Sequence, residues 1–351
     1  MQIELELLDL MTTAKIALTS ILLAFILGRP GIWLARRLGL IDVPGKSAHK
    51  QHHQPTPLAG GIILILCLPL VMLIWGMWDE ALWDLFMGAG IIFVFGLLDD
   101  RYGFNAQLKL TGQVLGALVL VLNGFRVEFL YGLGLTLDRT LLDILMTTVT
   151  ILWLVGITNA LNLTDSMDGL TAGLAAISAG FFMVVCLVSG QVVLAQLSAL
   201  LFGVALSLYA LNMTPALSFL GDSGAQTFGF LLAGIGVLYT PLEAPQASTW
   251  FIPILFLTLP IFDTTLVVLS RLRRRKPLFQ ADLGHTYHRL VKLGLSPRKA
   301  VFSIQIAALL SCMLAFIMTS FDPLTANIVF FSLLALGGVA IFFLEKNVRV
   351  E

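Results

Sequence analysis

Long apolar runs separated by short polar stretches make up most of this chain. A helix that crosses a bilayer needs about 20 mostly apolar residues. That criterion predicts about eleven helices, near 11–33, 58–77, 82–98, 106–124, 141–158, 170–188, 191–211, 225–240, 250–270, 301–320 and 325–344. The expected fold class is an all-α polytopic integral membrane protein, one transmembrane domain over residues 1–351. The segment before the first run, MQIELELLDL, is acidic where a signal peptide would be basic, so the run reads as a span that stays in the protein.

Composition strengthens this picture. Hydrophobic residues are 58% of the chain and charged residues 12%, against about 25% charged in an average soluble domain. Formal net charge is zero, so no basic surface argues for nucleic acid. Cys67, Cys186 and Cys312 lie inside apolar runs without metal-type spacing and read as small buried hydrophobes.

The distribution of charge carries more than its sum. With eleven spans, Arg36, Arg37, Lys46, Lys50, Arg101, the Arg271–Lys276 run, Arg289, Lys292, Arg298, Lys299, Lys346 and Arg349 share one side. Little more than Arg126 and Arg139 falls on the other. The positive-inside rule then puts the N-terminus outside and the C-terminus in the cytoplasm. The loops with unusual polar residues, 35–57, 99–105, 159–169, 212–224 and 271–300, all reach the cytoplasmic face. One-sided chemistry favours an enzyme using a cytosolic substrate over a transporter, which places its polar groups near the midplane.

Five stretches carry candidate chemistry. In NALNLTDSMDGL, Asn159, Asn162, Asp165 and Asp168 recur every three residues, a spacing that gathers them on one helical face. Polar groups at a membrane-helix end normally line a cavity, a metal site or the protein interior; a capping helix terminus is the bland reading. LLDDRYGF sets Asp99 beside Asp100, adjacent carboxylates that resist joint ionisation without a cation or donor. Arg101 could supply a plain helix-end ion pair, while Lys109 at the start of the next helix suits phosphate neutralisation.

GDSGAQTFGF places Asp222 between glycines before the eighth helix, where a carboxylate either caps or holds a hard cation such as magnesium. In the 271–300 loop the arginine run is explained by topology, whereas His285, His288 and Arg289 can share a face and meet phosphate or a sugar hydroxyl. Zinc is disfavoured there, with no cysteine near. Lys50 and His52, with His49 and His53, precede PTP and GG in a loop that could greet a diphosphate or anionic lipid. Asp263 is an acid well inside a span and calls for a polar partner within the bundle.

Taken in order, HKQHHQPTPLAGG, LLDDRYGF with Lys109, NALNLTDSMDGL, GDSGAQTFGF and FDTT…PLFQADLGHTYHR resemble the motifs of the polyprenyl-phosphate N-acetylhexosamine-1-phosphate transferases, over nearly the whole chain. The resemblance implies transfer of a sugar 1-phosphate from a UDP-N-acetylhexosamine to polyprenyl (undecaprenyl) phosphate, with release of UMP. It implies a bacterial cytoplasmic-membrane enzyme that starts a cell-envelope glycan such as lipopolysaccharide, with its active site facing the cytoplasm.

Matched motif by motif, it implies Asp222 and Asn162 as ligands of Mg2+, with Mn2+ as a substitute. Asp99 and Asp100 become the catalytic pair at the lipid phosphate, one of them base or nucleophile. Lys109 becomes a diphosphate contact, and Asp165 and Asp168 nucleotide-side contacts with Asn159 beside them. His285, His288 and Arg289 fall in the substrate-recognition loop, and Lys50 and His52 in the first basic motif. Expected partners are the UDP-sugar, the polyprenyl lipid and the bilayer, with a homodimer as the candidate assembly and no nucleic acid.

Ser166 departs from the family's usual glycine, Tyr287 from histidine and Leu283 from arginine. The absence of a three-histidine run points to the N-acetylglucosamine branch. The phospho-N-acetylmuramoyl-pentapeptide transferases are the alternative within the class, and a polytopic transporter or lipid flippase the alternative outside it.

Overall fold

The structure, a computed structural model, describes residues 2–44, 54–128, 138–213, 215–241, 249–277 and 284–348. Thirteen helices are used below: α1 (Gln2–Arg37), α2 (Gly60–Trp75), α3 (Glu80–Tyr102), α4 (Ala106–Leu122), α5 (Arg139–Thr164), α6 (Leu170–Val188), α7 (Val192–Asn212), α8 (Gly221–Leu238), α9 (Ile252–Phe256), α10 (Thr258–Arg273), α11 (Thr286–Lys292), α12 (Pro297–Met318) and α13 (Pro323–Asn347). Seven of them, α1, α3, α5, α6, α7, α12 and α13, are long and apolar enough to cross a membrane, and α2 and α4 are shorter apolar helices. Large apolar side chains stand exposed along α13, among them Leu324, Phe331, Leu336 and Phe342. Such a surface suits hydrocarbon, and the chain is a polytopic membrane protein.

Each predicted apolar stretch contains helix, but three end differently. α3 runs on through Asp99 and Asp100, α5 through Asn159 and Asn162 to Thr164, and α8 starts at Gly221, so Asp222 lies in its first turn. Hydropathy stops where polar residues begin, yet these side chains bond to one another inside the bundle, and the helices continue beneath them. The ninth predicted stretch is split at Leu257 into α9 and α10, with Pro253 and Pro260 near the break.

Several helix starts carry side-chain caps. Asp79 accepts from Ala81 N at 2.9 Å, Asn105 from Leu108 N at 2.9 Å, and Asp322 from Leu324 N and Thr325 N at 3.1 Å. The only strands among the described residues, β1 (Ile41–Asp42) and β2 (Thr56–Pro57), pair antiparallel. Beyond β2, Phe219 N donates to Pro57 O at 3.0 Å, and Gly60 N and Gly61 N donate to Phe219 O and Leu220 O. The chain entering α2 is thereby stitched to the chain entering α8.

α8 is the buried axis of the fold, packed against α2, α3 and α5. Glycines allow that approach. A Cβ on Gly96 of α3 would fall 2.6 Å from Ser223 Cα, and one on Gly229 of α8 would fall 2.8 Å from Thr158 Cα in α5. Gly96→Ala must therefore push α3 off α8. We expect about 1–3 kcal/mol of destabilisation, read as a lower melting temperature in detergent. Gly90→Ala, where a Cβ meets nothing within 4 Å, is the control and should melt as the wild type does.

Candidate active site

Four helices deliver polar side chains to one end of the bundle: the last turn of α3, the first of α4, the last two of α5 and the first of α8. Lys109 Nζ lies at their centre, ion-paired with Asp99 Oδ2 and, at 2.6 Å, with Asp222 Oδ2. Asp222 Oδ1 accepts from Asn162 Nδ2 at 2.7 Å, and Asp99 Oδ1 from Phe104 N at 2.6 Å. Residues 99, 109, 162 and 222, predicted from three separate motifs, thus form one cluster.

Asp100 turns elsewhere. Its Oδ1 accepts from Asp222 N at 2.7 Å, and its Oδ2 from Ser223 N at 3.1 Å and Ser223 Oγ at 2.6 Å. A carboxylate from α3 therefore caps the N-terminus of α8, where the helix dipole favours negative charge. Gly221 makes room for it: its φ is +73°, and a Cβ there would lie 2.7 Å from Asp100 Oδ2. The two adjacent carboxylates thus have different partners, Asp99 the Lys109 ammonium and Asp100 the start of α8.

One turn deeper in the same helices lies a second layer that the sequence reading missed. Gln113 Nε2 donates to Asn159 Oδ1 at 3.2 Å and to Gln226 Oε1 at 3.0 Å, while Asn159 Nδ2 donates to Gln113 Oε1 at 2.5 Å and Val155 O at 3.0 Å. Lys109 and Gln113, Asp222 and Gln226, and Asn162 and Asn159 are each three or four residues apart. The signal was present as glutamines one turn inside apolar helices. Asn159, expected beside the substrate, bonds within this second layer, its carboxamide paired with that of Gln113.

The three-residue stripe is interrupted. α5 ends at Thr164 with Asp165 as C-cap, and Asp165 and Asp168 lie in the turn before α6 rather than on one helical face with Asn159 and Asn162. The turn is tied down where Gly169 N donates to Asn212 Oδ1 at 2.7 Å. Asp168 is near Tyr287, whose phenol is pushed up in pKa by burial and then by that carboxylate.

The 284–292 segment also differs from expectation in part. His285 Nδ1 meets Asp263 Oδ2 at 2.7 Å, and Thr286 N donates to Asp263 Oδ1 at 2.6 Å, which supplies the polar partner Asp263 called for. His288 packs edge-on to Tyr287 with ring centroids 5.0 Å apart. Arg289 is 0% exposed. Its guanidinium donates to Gly284 O, Leu344 O, Val348 O, Ser270 Oγ and Glu345 Oε1. All five N–H groups are thus taken inside the protein, and the expected phosphate contact is corrected to an internal clamp. Lys50, His52 and Leu283 lie outside the described residues.

The donor set can be tested against a divalent cation. Asp99, Asp100 and Asp222 are formally three negative charges against the one positive charge of Lys109. Among the described residues no three His, Cys, Asp or Glu side chains converge as a metal-ligand set. Magnesium asks for less than that: oxygen donors from one or two carboxylates, with substrate phosphates and water completing the shell. Asp222, with Asn162 beside it, fits that requirement.

Comparison with known proteins shows the family. Residues 82–240, which contain the whole Lys109 cluster, match the family described as glycosyl transferase family 4. A Bacillus subtilis protein named probable undecaprenyl-phosphate N-acetylglucosaminyl 1-phosphate transferase is 32% identical over 288 residues, covering 82% of this chain and 79% of its own. The chain belongs to this family of polyprenyl-phosphate N-acetylhexosamine-1-phosphate transferases. Another member, the decaprenyl-phosphate N-acetylglucosaminephosphotransferase of Mycobacterium tuberculosis, is 28% identical over 93% of this chain and 87% of its own. The phospho-N-acetylmuramoyl-pentapeptide-transferase of Lacticaseibacillus paracasei matches over 57% of this chain and 66% of its own, at 32% identity.

Proposed function

We propose that the protein transfers N-acetylglucosamine 1-phosphate from UDP-N-acetylglucosamine to a polyprenyl phosphate, releasing UMP, with magnesium as cofactor and manganese as a substitute. The observation that carries this reading is the Lys109 cluster at the end of a membrane bundle, where a soluble nucleotide-sugar and a lipid phosphate can meet. The likeness to N-acetylglucosamine phosphotransferases over 82% and 93% of the chain, against 57% for the muramoyl-pentapeptide relative, favours the sugar.

The reaction joins two anions. An oxygen of the lipid phosphate attacks the β-phosphorus of the UDP-sugar, a P–O bond forms, the bond to the bridging oxygen breaks, and UMP departs. Catalysis of such a step is mainly positioning and charge neutralisation. Lys109 supplies a fixed positive charge between Asp99 and Asp222. Asp222 and Asn162 would hold magnesium, which when bound neutralises phosphate charge as a Lewis acid. Asp99 is the carboxylate facing the centre and the candidate base; the lipid phosphate, with a second pKa near 6 by analogy with phosphoserine, needs little help in losing its proton. Asp100 holds α8 in place so that Asp222 and its neighbours keep their positions.

Eleven crossings, with the N-terminus outside and this end of the bundle in the cytoplasm, are part of the proposal. The basic residues supporting that orientation flank the site in sequence, and the proposed UDP-sugar is cytosolic. The test is UMP release by purified protein from UDP-N-acetylglucosamine, with and without polyprenyl phosphate and magnesium. UMP that requires both is the expected result; no UMP from any UDP-sugar in a folded sample would overturn the reading.

A further inference from the structure

The carboxamides of Gln113, Asn159 and Gln226 join α4, α5 and α8, the three helices that carry Lys109, Asn162 and Asp222. Gln113 is 1% exposed and Gln226 2%. One backbone carbonyl sets the direction of the bonds. Val155 O accepts from Asn159 Nδ2 at 3.0 Å, which fixes which end of that carboxamide is nitrogen. Asn159 and Gln113 then pair reciprocally, and Gln113 Nε2 also donates to Gln226 Oε1 at 3.0 Å. Gln226 Nε2 is left with no hydrogen-bond partner among the described residues.

As a stabilising device this layer is poor, because a buried polar network with an unmet donor is worse than apolar side chains of the same shape. What it supplies is geometry. Each carboxamide meets its partners in one orientation, so the layer fixes the rotation and height of α4, α5 and α8 against one another. Helical spacing carries that constraint to the cluster. Gln113 follows Lys109 by four residues, Gln226 follows Asp222 by four and Asn159 precedes Asn162 by three, so each shares a helix face with its cluster residue. We propose that Gln113 is a positioning residue, whose bond to Gln226 keeps Lys109 on α4 and Asp222 on α8 at the separation phosphoryl transfer needs. Lys109 Nζ stands 2.6 Å from Asp222 Oδ2 on a long flexible stem, and only a fixed helix can hold such a stem in register. The inference rests on the transferase reading above.

The test uses the full-length protein in detergent, with kcat and KM for UDP-N-acetylglucosamine from UMP release and a melting curve for each variant. Gln113→Met, Asn159→Leu and Gln226→Met together make the layer apolar at similar volume and strand no donor or acceptor, so melting should stay near wild type. Turnover should nevertheless fall: kcat by about ten- to a hundredfold, the loss that a misplacement of about 1 Å at a reacting centre brings. KM should stay within about threefold. A merely structural layer gives the opposite result, an unchanged kcat wherever melting is unchanged. Ser178→Ala, which removes a buried bond of 2.7 Å to Phe256 O between α6 and α9, is the control and should lower melting while keeping kcat. Because Gln226 acts through Gln113, Gln113→Met with Gln226→Met should be no worse than Gln113→Met alone. Multiplicative losses in that pair, or wild-type kcat in the folded triple variant, would overturn the proposal. If the triple variant does not fold, Gln226→Met decides by itself, since it cuts only the link between α4 and α8; wild-type kcat would refute that link. Those results in an active wild type sink this proposal alone; a folded wild type without UMP release sinks the transferase reading and this proposal with it.

Discussion

Asp222→Asn should reduce UMP release by on the order of 10³-fold or more, the loss associated with removing a principal charge-stabilising group in phosphoryl transfer. The substitution keeps volume and shape and changes charge. Asp222 Oδ2 is ion-paired with Lys109 and Oδ1 accepts from Asn162; an asparagine can keep only one of those partners, and it loses the negative charge a divalent cation requires. The fold should survive, because the link between α3 and α8 runs through the backbone N–H of residue 222 to Asp100, which the change leaves intact. The checking measurement is a magnesium titration of UMP release beside a melting curve. We expect near-wild-type melting, very low turnover and a magnesium requirement moved to higher concentration. Wild-type turnover with an unchanged magnesium curve would remove Asp222 from the metal site.

What the sequence disclosed here follows from the solvent the chain lives in. Charged residues are scarce in it, so Asp99, Lys109, Asn162 and Asp222 were each conspicuous, and each had to find a polar partner once its helix was placed in the bundle. They found one another. Helix existence was equally legible, because about 20 apolar residues in a row have few other fates. Helix ends were not, since hydropathy cannot separate a polar loop from a polar helix face turned inward, as at Asn159 and Asp100. The pairing of Asp100 with the start of α8 is a contact across 122 residues, invisible to spacing. Arg289 was misread for a related reason: its charge partner stands 56 residues further on, in a helix whose apolar surface had marked it only as a span.

That partner makes Arg289→Met the second large effect, on stability rather than chemistry. Methionine approximates the length of the arginine stem but offers no donor, so Leu344 O, Val348 O and Gly284 O lose their bonds, and the Glu345 side chain, 7% exposed, loses its closest cation. Arg273 and Arg274 approach Glu345 only at 3.9 and 3.8 Å, and they cannot reproduce a guanidinium that also reaches the end of α13. Removing one member of a buried ion pair costs about 3–5 kcal/mol, which for a chain of this size is a fall of about 4–7 °C in melting temperature. The clamp ties α13 to the segment that presents His285, so loosening it should also raise KM for the nucleotide-sugar more than it lowers kcat. Arg289→Met combined with Glu345→Gln tests the assignment, because removing the orphaned charge should recover part of the lost stability. A single variant that melts as the wild type does but has lost turnover would return Arg289 to the substrate.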